Sequence, residues 1–135
     1  MFTLKAYHPD QQSTAHEFFI LNKGLNSGKP LQAPVANCFR CSCSSAEEKE
    51  KLFWLCWGLW KCKHWEQFLC GSVIPFIRKH DLCSQLQLRY ASNDCSKFLK
   101  AVNTVCELQS KEEILKQQLQ LIAQCKIAIL RQHIK

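Results

Sequence analysis

Hydrophobic residues are densest in the segment SSAEEKEKLFWLCWGLWKC, residues 44–62. On a helical wheel Phe53, Trp57 and Trp60 share one face, and leucines with Cys56 fill most of another. Ser45 and Glu48 have the spacing of a capping box, in which each side chain satisfies a backbone N–H of the first turn. The pattern therefore predicts a helix that begins near Ser45 and lies in the centre of a domain.

Two segments before this helix have the aromatic, β-branched or alternating content of strands. They are HEFFILN, residues 16–22, and VANCFRCSC, residues 35–43. Between them NKGLNSGKP, residues 22–30, predicts a loop. After the helix, HWEQFL predicts a short helical turn.

The segment SVIPFI, residues 72–77, predicts an edge strand of the sheet. Pro75 has no N–H to donate to a neighbouring strand, so a central position is disfavoured. We expect Val73 and Ile77 to face inward, and Gly71 to supply an unusual backbone angle just before the strand.

The last third of the chain predicts helices over residues 81–90, 93–108 and from Ser110 to the C-terminus, with Asn93 and Ser110 as N-caps. Leu115, Leu119, Ile122 and Ile129 approach a coiled-coil seam that Lys126 interrupts. The order of elements predicts an α+β fold. We expect a single globular domain over residues 1–108 and an amphipathic helix over 109–135 that packs on this domain or on a partner.

The chain has 135 residues and a formal net charge of +7, which favours an anionic partner such as nucleic acid or an acidic protein. It has no apolar run of the roughly 20 residues that span a bilayer and no export signal, so a cytoplasmic protein without a membrane role is expected. The ten cysteines are then expected to be free thiols.

Two motifs are similar to ligand-binding motifs but lack residues that those motifs require. GLNSGKP has three residues between its glycines where a phosphate-binding loop has four, and Pro30 follows its lysine in place of Ser or Thr. Cys38, Cys41 and Cys43 include a C-x-x-C spacing, but a structural zinc site needs four ligands, usually from a second close pair. A loop and a strand with incidental thiols are the favoured interpretations, and we expect neither metal nor cofactor.

The sequence contains no pattern that singles out a catalytic nucleophile, because its five histidines stand in unrelated contexts. Four tryptophans are more typical of a core than of a ligand platform. Trp54 and Trp65 are the two that would stack on a base if they were exposed.

Basic residues provide the candidate site. Arg78, Lys79 and His80 follow a predicted strand and precede a helix, where the chain must reach the surface. Together with the loop residues Lys23 and Lys29 they are predicted to contact DNA phosphates. The alternative is a solvated turn whose charges protect a sheet edge from pairing with other chains.

GSVIPFIRKHDL resembles the closing segment of target-recognition domains in type I restriction-modification specificity subunits, at Gly71, Ser72, Ile77, Asp81 and Leu82. The resemblance implies a small α/β globule with a long helix that pairs with another, DNA binding and no catalysis. The tail from Ser110 to Lys135 is similar in placement.

A second likeness, over residues 18–80, is to an uncharacterised family of small bacterial proteins, through FILNKGLNSGKPL, NCF, EEKEKLFWLCWGLW and GSVIPFI. It implies one domain and no established activity. Two hypotheses follow: a non-enzymatic DNA-binding module similar to half a specificity subunit, or a protein-interaction module that oligomerises through its C-terminal helix.

Overall fold

The structure is a computed structural model that describes residues 1–134. Its strands are β1 (Thr3–Ala6), β2 (Glu17–Leu21), β3 (Pro30–Leu31), β4 (Cys38–Ser42), β5 (Leu69–Cys70) and β6 (Phe76–Ile77). Its α-helices are α1 (Ala46–Lys61), α2 (Lys79–Tyr90) and α3 (Cys95–Arg131), and a 3-10 helix covers His64–Phe68. The predicted α+β class is confirmed.

The main sheet is antiparallel, with the strand order β1-β4-β2-β3. Phe18 of β2 pairs with Cys41 of β4, and Ile20 pairs with Phe39. Because side chains alternate between the two faces of a strand, these pairs share one face, and all four are buried. The predicted strands at 16–22 and 35–43 are confirmed, and β1, which the pattern did not indicate, adds an edge.

Helix α1 closes the core. Its buried residues include Cys56 and the leucines Leu52, Leu55 and Leu59, and each leucine contributes about 1.5–3 kcal/mol by leaving water. Trp54, Trp57 and Trp60 are only partly buried, so one side of the helix reaches the surface. The prediction of a helix central on all sides is therefore wrong for this aromatic face.

The N-terminus of α1 is capped as predicted at Ser45, whose Oγ accepts a hydrogen bond from the Glu48 N–H at 3.1 Å. The return bond differs from the prediction, since the Glu48 carboxylate accepts from the N–H and hydroxyl of Ser44, at 2.7 and 2.6 Å. These bonds lower the pKa of Glu48, with the Ser44 hydroxyl as the largest cause.

The prediction of an edge strand over residues 72–77 is only partly right. Only Phe76 and Ile77 are strand, and they pair with β5 in a separate two-stranded sheet and not with the main sheet. Ile77 is buried as expected, but Val73 is 90% exposed. Gly71 has the predicted positive φ, +95°, and a Cβ there would lie 2.6 Å from the Ile74 carbonyl oxygen. A tight turn therefore occupies residues that were expected to extend.

The prediction of two separate helices after residue 92 is also wrong. A single helix, α3, runs through the predicted break at residues 109–110, and it begins at Cys95, so Asn93 is not adjacent to its first residue. The Ser110 hydroxyl donates a hydrogen bond to the Cys106 carbonyl one turn earlier, at 3.1 Å. Ser110 is therefore hydrogen-bonded within the helix and does not cap a helix start. The predicted continuation to Lys135 ends outside the described residues.

The chain divides into two compact units, Met1–Lys100 and Ala101–Lys135. The first holds both sheets, α1, α2 and the core, and the second is the remainder of α3 and the last residues. The domain boundary predicted between residues 108 and 109 stays a prediction. In the described part of the chain no helix is both long enough and apolar enough to cross a membrane.

Candidate functional site

The predicted basic residues Lys23, Arg78, Lys79 and His80 are all exposed. Backbone hydrogen bonds join their two segments: the Ile77 N–H donates to the Asn22 carbonyl at 3.0 Å, and the Gly24 N–H to the Pro75 carbonyl at 2.7 Å. Lys23 thereby forms an antiparallel bridge with Phe76. The fold thus brings Lys23 next to the segment that holds the consecutive residues Arg78, Lys79 and His80, and we call these four residues the basic corner.

The basic corner lies at the start of α2, where Arg78 is the N-cap. The Arg78 side chain makes no capping bond, and Lys79 and His80 occupy the first turn together with the acidic Asp81. The N-terminus of a helix carries partial positive charge and favours acidic or capping residues, so cations there oppose local stability. The same positive end, with its unpaired N–H groups, favours an anionic ligand.

Lys29 occupies a different position from the other predicted residues. Its Nζ lies 5.1 Å from the centroid of the Trp60 ring, and Lys61 Nζ lies 5.8 Å from the same centroid. Ammonium groups at these distances from an indole are attracted by its π-electrons by about 0.5–1 kcal/mol at exposed sites. An aromatic ring and two cations are thus collected at the C-terminal end of α1.

A cleft of about 400 Å³ lies beside Trp60. The residues that line it come from the 22–30 loop, the end of α1 and the 3-10 helix: Leu25, Asn26, Ser27, Trp60, Lys61, Lys63, Trp65, Glu66 and Leu69. We call this the Trp60 cleft. The lining combines aromatic rings and lysines, as surfaces that bind single-stranded nucleic acid do, with the carboxylate of Glu66.

Lys63 is the residue that terminates α1 at this cleft. It has φ 63° and ψ 27°, and among residues 1–134 no other non-glycine residue has a positive φ. Its N–H donates to the Trp60 carbonyl at 3.0 Å, as in a helix-ending turn that usually carries glycine. A lysine in this conformation costs about 1 kcal/mol relative to glycine.

Trp65 lines the cleft but is buried, which agrees with the favoured core role, and it lacks the exposure that stacking on a base requires. Its indole packs against Gly28, and within the described residues its Nε1–H has no hydrogen-bond partner. Trp54 is partly buried, and its Nε1–H donates to Glu50 Oε1 at 2.8 Å. The sequence did not indicate Trp60, Lys61 or Lys63 as site residues. An aromatic residue at helical spacing is typical of a core, and lysines at the end of a helix are typical of capping.

The loop Asn22–Pro30 does not form a phosphate cradle. The Gly28 N–H donates to the Leu21 carbonyl at 2.7 Å, and the Lys29 N–H donates to the Asn26 carbonyl at 3.0 Å. The Ser27 N–H and hydroxyl both bond the Gly24 carbonyl, at 3.2 and 2.6 Å. The backbone amides of a phosphate loop point at the ligand, whereas these point into the loop itself.

Cys38 and Cys41 lie three residues apart on β4, so they face opposite sides of the sheet. Throughout residues 1–134 no group of three or more His, Cys, Asp or Glu side chains is placed to hold a metal ion. All ten cysteines are free thiols in this part of the chain. Cys41 and Cys43 share a side of the strand, and a hydrogen bond from the Cys41 thiol lowers the pKa of Cys43.

Cys43 is therefore expected to react with iodoacetamide at neutral pH faster than Cys38, Cys41 and Cys56. The pKa of Cys41 is raised by its hydrogen bond with Cys43 and by burial, and burial raises the pKa of Cys38 and Cys56, while the thiolate is the reactive form. Peptide mass spectrometry across a pH series measures the four rates. Cys41→Ala should slow Cys43 at neutral pH and Cys38→Ala should not; equal rates in both variants would contradict the assignment.

The fold and these surfaces were compared with known proteins. Neither the comparison with curated proteins nor the comparison with solved structures finds a match. A sequence family described as "Family of unknown function (DUF6943)" matches residues 4–132, which includes both units almost entirely. The match supports the predicted likeness to an uncharacterised family and extends it beyond residues 18–80, and the restriction-modification resemblance finds no support in it. The chain belongs to the DUF6943 family of unknown function.

Proposed function

We propose that the chain is a non-enzymatic DNA-binding module that contacts the phosphate backbone through the basic corner. The observation that carries the proposal is the placement of Arg78, Lys79 and His80 on the uncapped first turn of α2, beside Lys23. The cations of Arg78 and Lys79 oppose the helix dipole, although Asp81 in the same turn favours it. Residues that break a local stability rule are characteristic of functional sites.

The alternative for the same charges is protection of a sheet edge. That role needs a long exposed edge strand, since short edges offer few unpaired N–H and C=O groups. Strand β6 has two residues, and the flanking backbone is already bonded to Asn22 and Gly24. Edge protection therefore explains the cluster less well than an anionic ligand does.

The Trp60 cleft extends the proposed DNA surface. Lys29 and Lys61 beside the indole are suited to a phosphate next to a base, since aromatic stacking adds about 1–3 kcal/mol per base. Its volume of about 400 Å³ lies in the range of small-molecule sites, which is enough for one unstacked base. By this proposal the module would act as half of a type I restriction specificity subunit does, by binding DNA without catalysis.

Replacing both Arg78 and Lys79 with glutamine is expected to weaken DNA binding and to flatten its salt dependence. Each phosphate contact contributes about −0.9 to the slope of log affinity against log salt, so the slope should fall by about two. Fluorescence anisotropy with a labelled duplex over a salt series measures the slope. The free energy of unfolding should change by less than about 0.5 kcal/mol, as for other surface substitutions.

The matched control is Lys5→Gln with Lys97→Gln, which removes the same net charge from β1 and from the start of α3. Both lysines are exposed. A smaller slope in the basic-corner variant alone supports the proposal. An equal change in both variants would mean that net charge, and not this site, sets the affinity, and absence of binding by the unaltered chain at low salt would refute the proposal.

A second candidate function is a protein-interaction module, and a different observation favours it. Along Ala101–Lys135 the exposed large hydrophobic side chains are Val105, Leu108, Ile114, Leu115, Leu119, Leu121, Ile122, Ile127, Ile129, Leu130 and Ile134. A contiguous exposed apolar surface of this kind marks an interaction site.

A further inference from the structure

The exposed apolar residues of α3 follow a heptad. Leu108, Leu115, Ile122 and Ile129 recur every seven residues, and each is more than half exposed. They define the d positions of a coiled coil, in which apolar residues recur on average every 3.5 residues. The d positions are apolar in four consecutive heptads, and a repeat of this length indicates a coiled-coil seam.

The a positions, three residues before each d, alternate between apolar and charged residues. They are Val105, Glu112, Leu119 and Lys126. The f positions, directly opposite the seam, are polar: Ser110, Gln117, Gln124 and Arg131. The exposed Ile114, Leu121 and Ile127 lie at b and c positions, outside the seam. A polar residue at an a position weakens a coiled coil and at the same time specifies its register and partner.

Glu112 and Lys126 are placed symmetrically, each seven residues from Leu119. In a parallel, in-register pair of helices, a positions face a positions, so Glu112 would face Glu112 of the second copy and Lys126 would face Lys126. Like charges placed together at an interface cost several kcal/mol. A parallel dimer would therefore have two repulsive layers within its seam.

Antiparallel pairing removes both repulsions. When two copies run in opposite directions about a centre next to Leu119, Glu112 of one copy lies within one layer of Lys126 of the other. This holds whether the central layer pairs Leu119 with Leu115 or with Ile122, and the two-fold symmetry forms the ion pair twice. We infer that α3 is the interface of an antiparallel homodimer, with Glu112 and Lys126 as the residues that select the partner and its direction.

Glu112 already has one partner in the isolated helix, since Lys116 Nζ lies 3.1 Å from its Oε1. Both side chains are well exposed, and such a pair one turn apart contributes only about 0.3–0.5 kcal/mol. The carboxylate has a second oxygen, so Lys126 of the second copy can be added without loss of Lys116. The intrahelical pair therefore does not prevent pairing between copies.

The inference rests on the second candidate function and is independent of DNA binding. Sedimentation equilibrium of the full chain over a range reaching well above micromolar concentrations should show a monomer–dimer equilibrium. Glu112→Lys alone and Lys126→Glu alone should each weaken the dimer at least about tenfold, which corresponds to 1.4 kcal/mol. The double charge exchange should restore the affinity to within about threefold, because Coulomb attraction is unchanged when both signs are reversed.

The possible results distinguish the antiparallel seam from the more general proposal that α3 is the dimer interface. Dimers that are insensitive to the single charge reversals would refute the antiparallel seam. Leu115→Glu with Ile122→Glu should abolish the dimer, and a dimer that survives would place the interface elsewhere and refute the role of α3. A monomer at all concentrations would refute self-association. Circular dichroism confirms that each variant retains its helix, since Glu and Lys have similar helix propensities.

Discussion

Replacing Gly28 with alanine is expected to lower the free energy of unfolding by about 3 kcal/mol. Gly28 has φ +96°, a region that side chains with a Cβ rarely enter, and this alone costs about 1–2 kcal/mol. A Cβ there would also lie 2.2 Å from Cδ1 and 2.6 Å from Cγ of Trp65. Trp65 is only 2% exposed and belongs to the core cluster, so its indole cannot shift without disturbing the packing of its neighbours.

Gly24 in the same loop provides the control. It has nearly the same backbone angle, φ +93°, but an added Cβ meets nothing within 4 Å. Gly24→Ala should therefore cost only the conformational term, about 1–2 kcal/mol. Urea denaturation of both variants measures the difference, which we expect to be about 1–2 kcal/mol and which reports the packing of Trp65 on the loop. Equal losses would mean that Trp65 moves aside and that the cleft floor is adaptable.

The contact between Gly28 and Trp65 shows which features of the fold could be predicted from the sequence and which could not. The composition of residues 22–30 predicted a loop, because glycine, asparagine and proline act through local backbone preferences. The indole on which the loop rests comes from Trp65, after β4 and the whole of α1. No local pattern encodes a contact between such distant segments, so a core role could be expected for the tryptophans in general, but the packing of Trp65 on this loop could not be predicted.

Helix α1 was predicted well because several local signals coincide at it. Ser45 caps the backbone, acidic residues precede lysines, and the leucines repeat at helical spacing. The segment 72–77 was predicted poorly for the opposite reason. Its apolar residues match a strand, but Gly71 and Pro75 turn the chain back, and Val73 and Ile74 are exposed on the turn.

The candidate site was predicted as a set of residues but not as an arrangement. Lys23, Arg78, Lys79 and His80 were expected to be exposed, and they are. Their convergence depends on backbone bonds from Asn22 to Ile77 and from Gly24 to Pro75, which form only when the fold is complete. For the same reason the position of Lys29 on Trp60 could not be inferred from spacing.

The second large effect on stability is expected at Arg40. This residue is only 7% exposed and lies on the sheet face opposite the core residues of β4. Its Nε lies 3.3 Å from Glu17 Oε2, and Nη1 donates to the Gln12 carbonyl at 2.9 Å. The guanidinium lies 5.4 Å from the centroid of the Tyr7 ring. Within residues 1–134 the Nε–H is not aligned on any acceptor, so its contact with Glu17 is an ion pair and not a linear hydrogen bond.

Glu17→Gln is expected to lower the free energy of unfolding by about 3 kcal/mol, because it leaves the Arg40 charge buried without a compensating anion. The Thr14 N–H and hydroxyl, which donate to Glu17 Oε2 at 3.1 and 2.9 Å, can still bond the glutamine oxygen. The loss therefore reports the charge and not these bonds. It should persist at high salt, since buried pairs are screened far less than exposed ones.

The double variant Glu17→Gln, Arg40→Met separates the charge from the packing. Methionine keeps much of the arginine stem against Tyr7 and removes the buried cation, so the double variant should be more stable than Glu17→Gln alone. Urea denaturation of the single and double variants gives the coupling energy between the two residues. If the double variant is less stable than Glu17→Gln by the full cost of Arg40→Met alone, the effects are additive and the ion pair does not stabilise this face of the sheet.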